Sequence, residues 1–302
     1  MSRVVTVAAA QMGPVARDEG RPAVVARLVA LLRAAAGRGA DLVVFPELAL
    51  TTFFPRWWYE DGDPALDAWY ERAVPGPDTQ PLWDEAERRG VGFCLGFAEL
   101  TPARQRFNTA VLVGPSGSEL GRYRKIHLPG HDEHEPWRRF QHLEKRYFAR
   151  GDLGFPTFAA FGGRVGMLIC NDRRWPEAYR VLGLVGVELV CVGYNTPVHN
   201  PPAPEHDRYG DFHNHLVMQA GAYQNGTWVV GVAKAGREEG VDQIGGTCII
   251  HPSGEIVAAC TGLGDELAVA ACDLDETVSY KTTVFDLARH REPDTYGPIT
   301  DQ

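Results

Sequence analysis

Long apolar runs are missing from this chain of 302 residues, since no stretch of about eighteen apolar residues is present that could cross a bilayer. Basic residues are also in deficit, because 30 lysines and arginines stand against 39 aspartates and glutamates. The net charge of −9 disfavours a nucleic-acid partner, which normally requires a basic surface. The first residues, Met1–Val5, lack the apolar core of a signal peptide. We therefore expect a cytoplasmic protein with no membrane association.

Cysteine and histidine do not occur in the spacings that hold metals. The six cysteines include no Cys-x-x-Cys pair, and no His-x-x-x-His lies on a predicted helix. His213 and His215 are two residues apart on a predicted helix and therefore point to different faces. We expect neither a metal nor another cofactor, and a zinc hydrolase is disfavoured. Five cysteines lie in apolar runs and are expected to be buried free thiols; Cys170 is set apart by the residues that follow it.

The apolar periodicity predicts alternating strands and helices, which is typical of an α/β protein with helices outside its sheets. The predicted helices cover residues 21–36, a segment that is capped at 78–79, runs through 83–87 and stops at Gly90, a segment starting at 176, and 211–224. The predicted strands cover residues 4–10, 42–45, 91–98, 108–113, 119–125, 188–192, 228–233, 247–251, 255–260 and 267–273, with a further strand ending at Cys170. Pro-Ser-Gly turns at 115–117 and 252–254 each join two of these strands, which suggests two halves of similar layout.

Three predicted strands end at residues with catalytic potential: Glu47, Lys125 and Cys170. Taken singly, these residues could be a surface carboxylate, a solvated lysine and a buried thiol. Together they supply a soft nucleophile, a base for its proton and a cation for a developing oxyanion. That combination is difficult to explain by packing alone and predicts covalent catalysis.

The segments around these residues resemble the nitrilase superfamily of carbon–nitrogen hydrolases, most closely its branch of N-carbamoyl-D-amino-acid amidohydrolases. The resemblance covers essentially the whole chain and is carried by Val44–Trp57, Lys125–His131, Phe140–Phe148, Cys170–Ala178 and Gly193–Pro197. It implies a four-layer α-β-β-α sandwich formed by one domain over residues 1–302. It also implies that the polar tail from about residue 281 reaches a neighbouring subunit in a homodimer or homotetramer.

The resemblance also implies roles for these side chains. Glu47 would take the proton of Cys170, and Lys125 would lower the pKa of that thiol and stabilise the oxyanion. The backbone N–H of Asn171 is a natural second oxyanion donor. Glu144 resembles the second glutamate of the family, which orients Lys125 or the substrate, although an ordinary acid at a helix start is the alternative interpretation.

The substrate prediction depends on Arg173 and Arg174, which follow Cys170 by three and four residues. In the family the position of Arg174 commonly helps to organise the site. Arg173 is less general and suits a bidentate clamp on an α-carboxylate, although an exposed basic pair is the ordinary alternative. Further hydrogen-bond partners for carboxylate and ureido groups are predicted at Asn171, His127, His142, Asn195 and Thr196.

These features predict hydrolysis of N-carbamoyl-D-amino acids through a cysteine thioester, giving a D-amino acid, ammonia and carbon dioxide. The D preference comes from the resemblance alone, because one thiol and one carboxylate clamp fit either enantiomer. β-Ureidopropionase and aliphatic amidase share the Glu-Lys-Cys chemistry and remain alternatives. A non-catalytic binding protein is the alternative of a different class, disfavoured because Glu47, Lys125 and Cys170 are all present.

Overall fold

The computed structural model describes residues 2–300, in which two β-sheets pack face to face with helices outside them. The strands are β1 Val4–Gln11, β2 Leu42–Val44, β3 Gly92–Leu100, β4 Arg106–Val113, β5 Glu119–Arg124, β6 Thr157–Ala160, β7 Gly163–Ile169, β8 Leu189–Tyr194, β9 Trp228–Ala233, β10 Ala235–Glu238, β11 Val241–Ile244, β12 Cys248–Ile250, β13 Ile256–Ala259 and β14 Glu266–Asp273. The helices are α1 Arg21–Ala36, α2 Pro64–Asp67, α3 Gln80–Arg89, α4 Glu144–Tyr147, α5 Pro176–Leu184, α6 Gly210–Asn225, α7 Glu276–Thr282, α8 Leu287–His290 and α9 Gly297–Thr300.

The two large sheets have the same internal layout. The first has the order β14-β1-β2-β3-β4-β5 and the second the order β13-β12-β9-β8-β7-β6. In each sheet three parallel strands occupy the centre, β1-β2-β3 and β7-β8-β9, and antiparallel strands flank them. Because parallel neighbours need a crossover, α1, α3, α5 and α6 connect successive central strands. The two predicted halves of similar layout are therefore present.

The four layers follow from which faces are apolar. Helix α1 buries the apolar positions that its periodicity predicts and packs with α3 on the outer face of the first sheet. Helices α5 and α6 cover the second sheet, and the inner faces of both sheets share one apolar core. Strand β3 is buried along its whole length because it is covered on both faces. The predicted α-β-β-α sandwich is confirmed.

Several short elements were not predicted from the sequence. Strands β6, β10 and β11 have four residues each and are absent from the predicted strands. The polar tail from about residue 281, for which no helix is predicted, contains α8, α9 and the 3₁₀ turn Pro293–Thr295. Among residues 2–300, no helix combines the length and apolar character that a membrane span requires.

Two glycines allow the chain after β2 to pass between the sheets. A Cβ at Gly96 would lie 2.7 Å from the Cα of Glu47, and a Cβ at Gly193 would lie 2.7 Å from the backbone nitrogen of Glu47. The backbone of Pro46 and Glu47 is therefore enclosed by β3 on one side and β8 on the other. Leu48 next to them has a φ of 45°, in the left-handed region that side chains rarely adopt.

We expect Gly193→Ala to lower the free energy of unfolding by about 1–3 kcal/mol, because the new methyl group overpacks rigid backbone. Denaturant unfolding of the variant measures this loss. Gly264→Ala is the matched control, since a Cβ there meets no heavy atom within 4 Å. Equal stability of the two variants would contradict the close approach of β8 to Glu47.

Candidate active site

A cavity of about 530 Å³ opens at the edge of the second sheet where β7 and β8 end. Cys170, directly after β7, lies at its inner end and is only 5% exposed. Asn195 and Thr196, directly after β8, form the neighbouring wall. The outer wall comes from the proline-rich loop after β8 and from the start of α6. Because parallel strands end side by side, the chain brings these polar residues to one edge.

Cys170 adopts a strained backbone conformation where β7 turns into the 3₁₀ turn Cys170–Arg174. Its φ of 47° lies in the left-handed region, which is uncommon for residues other than glycine. The sharp turn places the buried Cys170 at the cavity. Its Sγ donates to the carbonyl oxygen of Asn195 at 3.4 Å and lies 4.0 Å from Oγ1 of Thr196.

A buried lysine joins two buried carboxylates behind the thiol. Lys125 Nζ donates to Oε1 of Glu47 at 2.7 Å and to Oε2 of Glu144 at 2.5 Å, and all three side chains are inaccessible to solvent. Asn108 Nδ2 donates to Glu47 at 2.8 Å and to Glu144 at 3.4 Å. The other oxygen of Glu47 accepts from the backbone nitrogen of Asn195 at 2.8 Å. Glu47 is thus hydrogen-bonded through both carboxylate oxygens.

The electrostatics show that these charges act on the thiol. Burial and then the Glu47 carboxylate raise the pKa of Cys170 above its usual range, while Lys125 and Arg173 oppose this shift. The sequence predicted that Lys125 lowers the thiol pKa; its contribution has that sign, but burial and Glu47 outweigh it. The thiol is therefore protonated at neutral pH, and attack by its sulfur requires a base.

Lys125 and Glu144 keep their charges in this buried setting. Burial alone would lower the pKa of Lys125, but the sulfur of Cys170 and the carboxylates of Glu144 and Glu47 raise it above the usual range. Burial would raise the pKa of Glu144, yet Lys125 and His142 hold it below the usual range. His142 Nε2 lies 3.1 Å from Oε1 of Glu144. The lysine remains a cation because two carboxylates surround it.

The cavity brings together most of the predicted substrate contacts. The predicted residues that line it are His142, Asn171, Arg174, Asn195 and Thr196. The side chain of Arg174 is exposed there, and its guanidinium donates to no acceptor within residues 2–300. A cation without a partner at the cavity wall is a suitable contact for an anionic ligand.

Arg173 is directed into the protein. Its side chain is 1% exposed and does not line the cavity. Its guanidinium donates to the carbonyl of Cys170 at 2.7 Å, to Thr196 Oγ1 at 2.9 Å and to Asn214 Oδ1 at 2.9 Å. It also lies 4.2 Å above the ring of Tyr194. Three of its donors already serve the protein, so a clamp by Arg173 on a substrate carboxylate stays a prediction, and Arg174 is the arginine that lines the cavity.

His127 is likewise outside the cavity. Its backbone nitrogen and Nδ1 both meet Oδ1 of Asp172, and its carbonyl accepts from Asn171 Nδ2. Its ring stacks on Trp175 with the centroids 5.1 Å apart. Contact between His127 and the substrate therefore stays a prediction, and the hydrogen bonds of this residue indicate a role in holding the protein together.

Sequence reasoning missed three buried polar residues that hold the site: Asn108, Asp172 and Asn214. Asn108 stands in the otherwise apolar run of β4, and a buried polar residue in such a strand is a signal that could have drawn attention to it. Asp172 lies within the segment around Cys170, but nothing in its spacing indicates its partners. Asn214 contacts Arg173 from α6, a long-range pairing that only the fold reveals.

The arrangement contains the parts needed for nucleophilic attack on a carbonyl: an exposed cavity, a thiol at its inner end, a carboxylate base and a buried cation. Within residues 2–300, no group of three or more histidine, cysteine, aspartate or glutamate side chains is placed to hold a metal ion.

Comparison with known proteins places the chain in a family. The model of the family described as carbon-nitrogen hydrolase matches residues 6–282. N-carbamoylputrescine amidase of Solanum lycopersicum is 30% identical over 98% of this chain and 94% of its own. (R)-stereoselective amidase of Pseudomonas sp is 33% identical over 78% of this chain and 74% of its own.

A solved structure shares the fold. The crystal structure of a carbon-nitrogen hydrolase from Helicobacter pylori G27 superposes with a TM-score of 0.85 at 21% identity, over 100% of this chain and 99% of that one. The resemblance of the sequence to the nitrilase superfamily is thereby confirmed. The chain belongs to the carbon-nitrogen hydrolase family, the nitrilase superfamily of amide-hydrolysing enzymes.

Proposed function

We propose that the protein hydrolyses N-carbamoyl-D-amino acids to the D-amino acid, ammonia and carbon dioxide. The observation that carries this proposal is the unpaired guanidinium of Arg174 on the wall of the cavity that contains Cys170. An N-carbamoyl amino acid presents a carboxylate two bonds from its ureido nitrogen, so one small molecule can reach both groups. A cavity of about 530 Å³ also leaves space for a bulky side chain.

The names of two relatives support parts of this proposal. The relative from Solanum lycopersicum is named for a carbamoyl substrate, N-carbamoylputrescine. The relative from Pseudomonas sp is named for (R) stereoselectivity. Putrescine carries an amine where an amino acid carries a carboxylate, and a cationic amine is poorly matched to Arg174. The chemistry of the cavity therefore favours a carbamoyl substrate with a carboxylate over N-carbamoylputrescine.

The reaction begins with proton transfer from Cys170 to Glu47, because the raised pKa of the thiol requires a base. The sulfur then attacks the ureido carbon. Lys125 donates two of its three N–H groups to Glu47 and Glu144, and the third is available to the developing oxyanion. The backbone N–H of Asn171 is the second donor to this oxygen.

Collapse of the tetrahedral intermediate returns the proton from Glu47 to the leaving nitrogen, which departs as ammonia. The acyl group remains on Cys170 as a thioester-type thiocarbamate of the amino acid. Glu47 then takes a proton from a water molecule, and the resulting hydroxide releases the thiol and an N-carboxy amino acid. This carbamate loses carbon dioxide and leaves the free amino acid.

Glu144 and Asn108 keep the reacting groups in place rather than reacting. Glu144 holds the ammonium of Lys125 from the side opposite Glu47, and Asn108 donates to both carboxylates. His142 lines the cavity and contacts Glu144, so it connects the substrate cavity with the buried carboxylate. Asn195 and Thr196 offer further polar contacts for the ureido and carboxylate groups.

We also propose that the protein forms a homodimer or homotetramer. Phe212 and Leu216 on α6 are 61% and 48% exposed, and Leu184 and Val185 at the end of α5 are also exposed. Exposed large apolar side chains on neighbouring helices favour contact with another subunit. Val284 and Ile299 of the tail are exposed as well, which is compatible with a tail that reaches a second subunit.

The substrate assignment predicts the ranking in a parallel assay of ammonia release. We expect N-carbamoyl-D-phenylalanine to exceed its L enantiomer, N-carbamoyl-β-alanine, N-carbamoylputrescine and a simple aliphatic amide in kcat/KM. Cys170→Ala should retain the fold and lose several orders of magnitude in turnover, and EDTA should have no effect. Preference for β-alanine or the simple amide would instead assign the protein as a β-ureidopropionase or an aliphatic amidase.

Substitutions of the two adjacent arginines should affect different kinetic constants. Arg174→Gln should raise KM for N-carbamoyl-D-phenylalanine by about 30-fold, equivalent to about 2 kcal/mol, because a charged contact to the carboxylate is lost. Arg173→Lys should mainly lower kcat, since it disturbs the contacts to Cys170 and Thr196. Steady-state kinetics measure both effects. The assignment of Arg174 fails if its variant keeps the wild-type KM.

The pH dependence of thiol alkylation tests the role of Glu47. Because the pKa of Cys170 is raised, its reaction with iodoacetamide should continue to accelerate above about pH 8.5, the ordinary thiol range. Glu47→Gln removes a carboxylate that raises this pKa, so alkylation at neutral pH should become faster while turnover is lost. Mass spectrometry of the Cys170 peptide gives the rate. A wild-type rate already constant below about pH 8 would indicate a preformed thiolate and contradict this mechanism.

A further inference from the structure

Asp172 is a buried carboxylate for which the proposed reaction has no use. Its exposure is 0%, and each of its oxygens has two donors. Oδ2 accepts from the hydroxyl of Tyr123 at 2.7 Å and from the backbone nitrogen of Ile169 at 3.1 Å. Oδ1 accepts from the backbone nitrogen of His127 at 2.9 Å and lies 2.8 Å from Nδ1 of the same residue.

These partners belong to the two segments that carry Lys125 and Cys170. Ile169 immediately precedes Cys170, and His127 follows Lys125 by two residues. A further hydrogen bond of 3.1 Å, from Asn171 Nδ2 to the carbonyl of His127, joins the same segments. The carboxylate therefore lies between the end of β5 and the end of β7.

The strain at Cys170 indicates what this connection does. A φ of 47° is unfavourable for a residue with a side chain and persists only where the surroundings hold it. Asp172 fixes the peptide nitrogen of Ile169 on the N-terminal side of the strained residue. On its C-terminal side, Arg173 holds the carbonyl of Cys170 at 2.7 Å.

The buried carboxylate of Asp172 is stabilised chiefly by hydrogen bonds. Among the described residues, no lysine or arginine lies within ion-pairing range of it, and the ring of His127 contacts it through Nδ1. Burial and the Asp172 carboxylate raise the pKa of Tyr123, so the tyrosine hydroxyl stays protonated and remains a donor. A buried carboxylate is costly unless its oxygens are satisfied, so the loss of one donor should disturb the group as a whole.

We propose that Asp172 and His127 form a positioning clamp that fixes Lys125 relative to the Cys170 thiol. Neither residue lines the cavity, so the clamp acts through the two segments and not on the substrate. It aligns the oxyanion donor with the sulfur that attacks and maintains the left-handed turn at Cys170. This inference rests on the proposed roles of Cys170 and Lys125.

Asp172→Asn tests the clamp because the amide has the same shape but replaces one acceptor by a donor. We expect kcat to fall about 100-fold with KM little changed, the size of effect that a displacement of about 1 Å between reacting groups produces. Alkylation of Cys170 by iodoacetamide at constant pH should also become slower, because the Lys125 ammonium that favours the thiolate is displaced.

Two variants of His127 provide a test that does not depend on folding of the Asp172 variant. His127→Ala removes the ring nitrogen that meets Asp172, whereas His127→Asn places an amide nitrogen near the position of Nδ1. We expect the alanine variant to lose kcat and alkylation rate and the asparagine variant to recover both. His134→Ala is the matched control and should behave as wild type, because this histidine is exposed and does not line the cavity.

The alkylation rates of Cys170 test the positioning clamp independently of the substrate assignment. If no carbamoyl amino acid is turned over, the proposed function fails, while the rates at Cys170 still decide whether Asp172 and His127 position the thiol. The clamp is excluded if His127→Ala retains wild-type alkylation and kcat. It is also excluded if the asparagine variant performs no better than alanine, or if the variants lower only the melting temperature.

Discussion

The contact between Lys125 and two carboxylates, Glu47 and Glu144, is the interaction on which the site depends. All three side chains are inaccessible to solvent, and each ion loses a large solvation energy on burial. The lysine pairs with both carboxylates, and Asn108 and the backbone of Asn195 supply further donors to Glu47. Removal of the lysine would leave two carboxylates without a cation in a region without solvent. The pairing therefore fixes the protonation state of the lysine before a substrate arrives.

This ion cluster lies where the two sheets approach each other closely. Glu47 reaches it from the first sheet, whereas Cys170 and Asn195 reach it from the second. The backbone at Glu47 passes between the sheets because Gly96 and Gly193 present no side chains there. The architecture is thus more than a scaffold for the reactive residues, since the site exists only where the two sheets meet. A sandwich with a wider separation would lose the contact of Glu47 with the end of β8.

The segment after Cys170 shows how one short turn separates chemically identical residues. Arg173 and Arg174 are adjacent in sequence, yet the 3₁₀ turn directs the first into the protein and the second to the cavity. The buried arginine and Asp172 hold the turn on either side of the nucleophile. The turn thereby gives two arginines of identical type different surroundings, one among protein acceptors and one at the cavity wall.

The sequence by itself determined the long elements and the order of the reactive residues. Helix α1 and strand β9 follow from periodicity, because a segment of adequate length must bury one face or both. The ends of β2, β5 and β7 carry Glu47, Lys125 and Cys170, which are recognisable as a nucleophilic set. Tertiary structure decided what each polar group faces. Only the fold shows that His127 is bound to Asp172, because hydrogen-bond partners distant in the chain leave no local pattern.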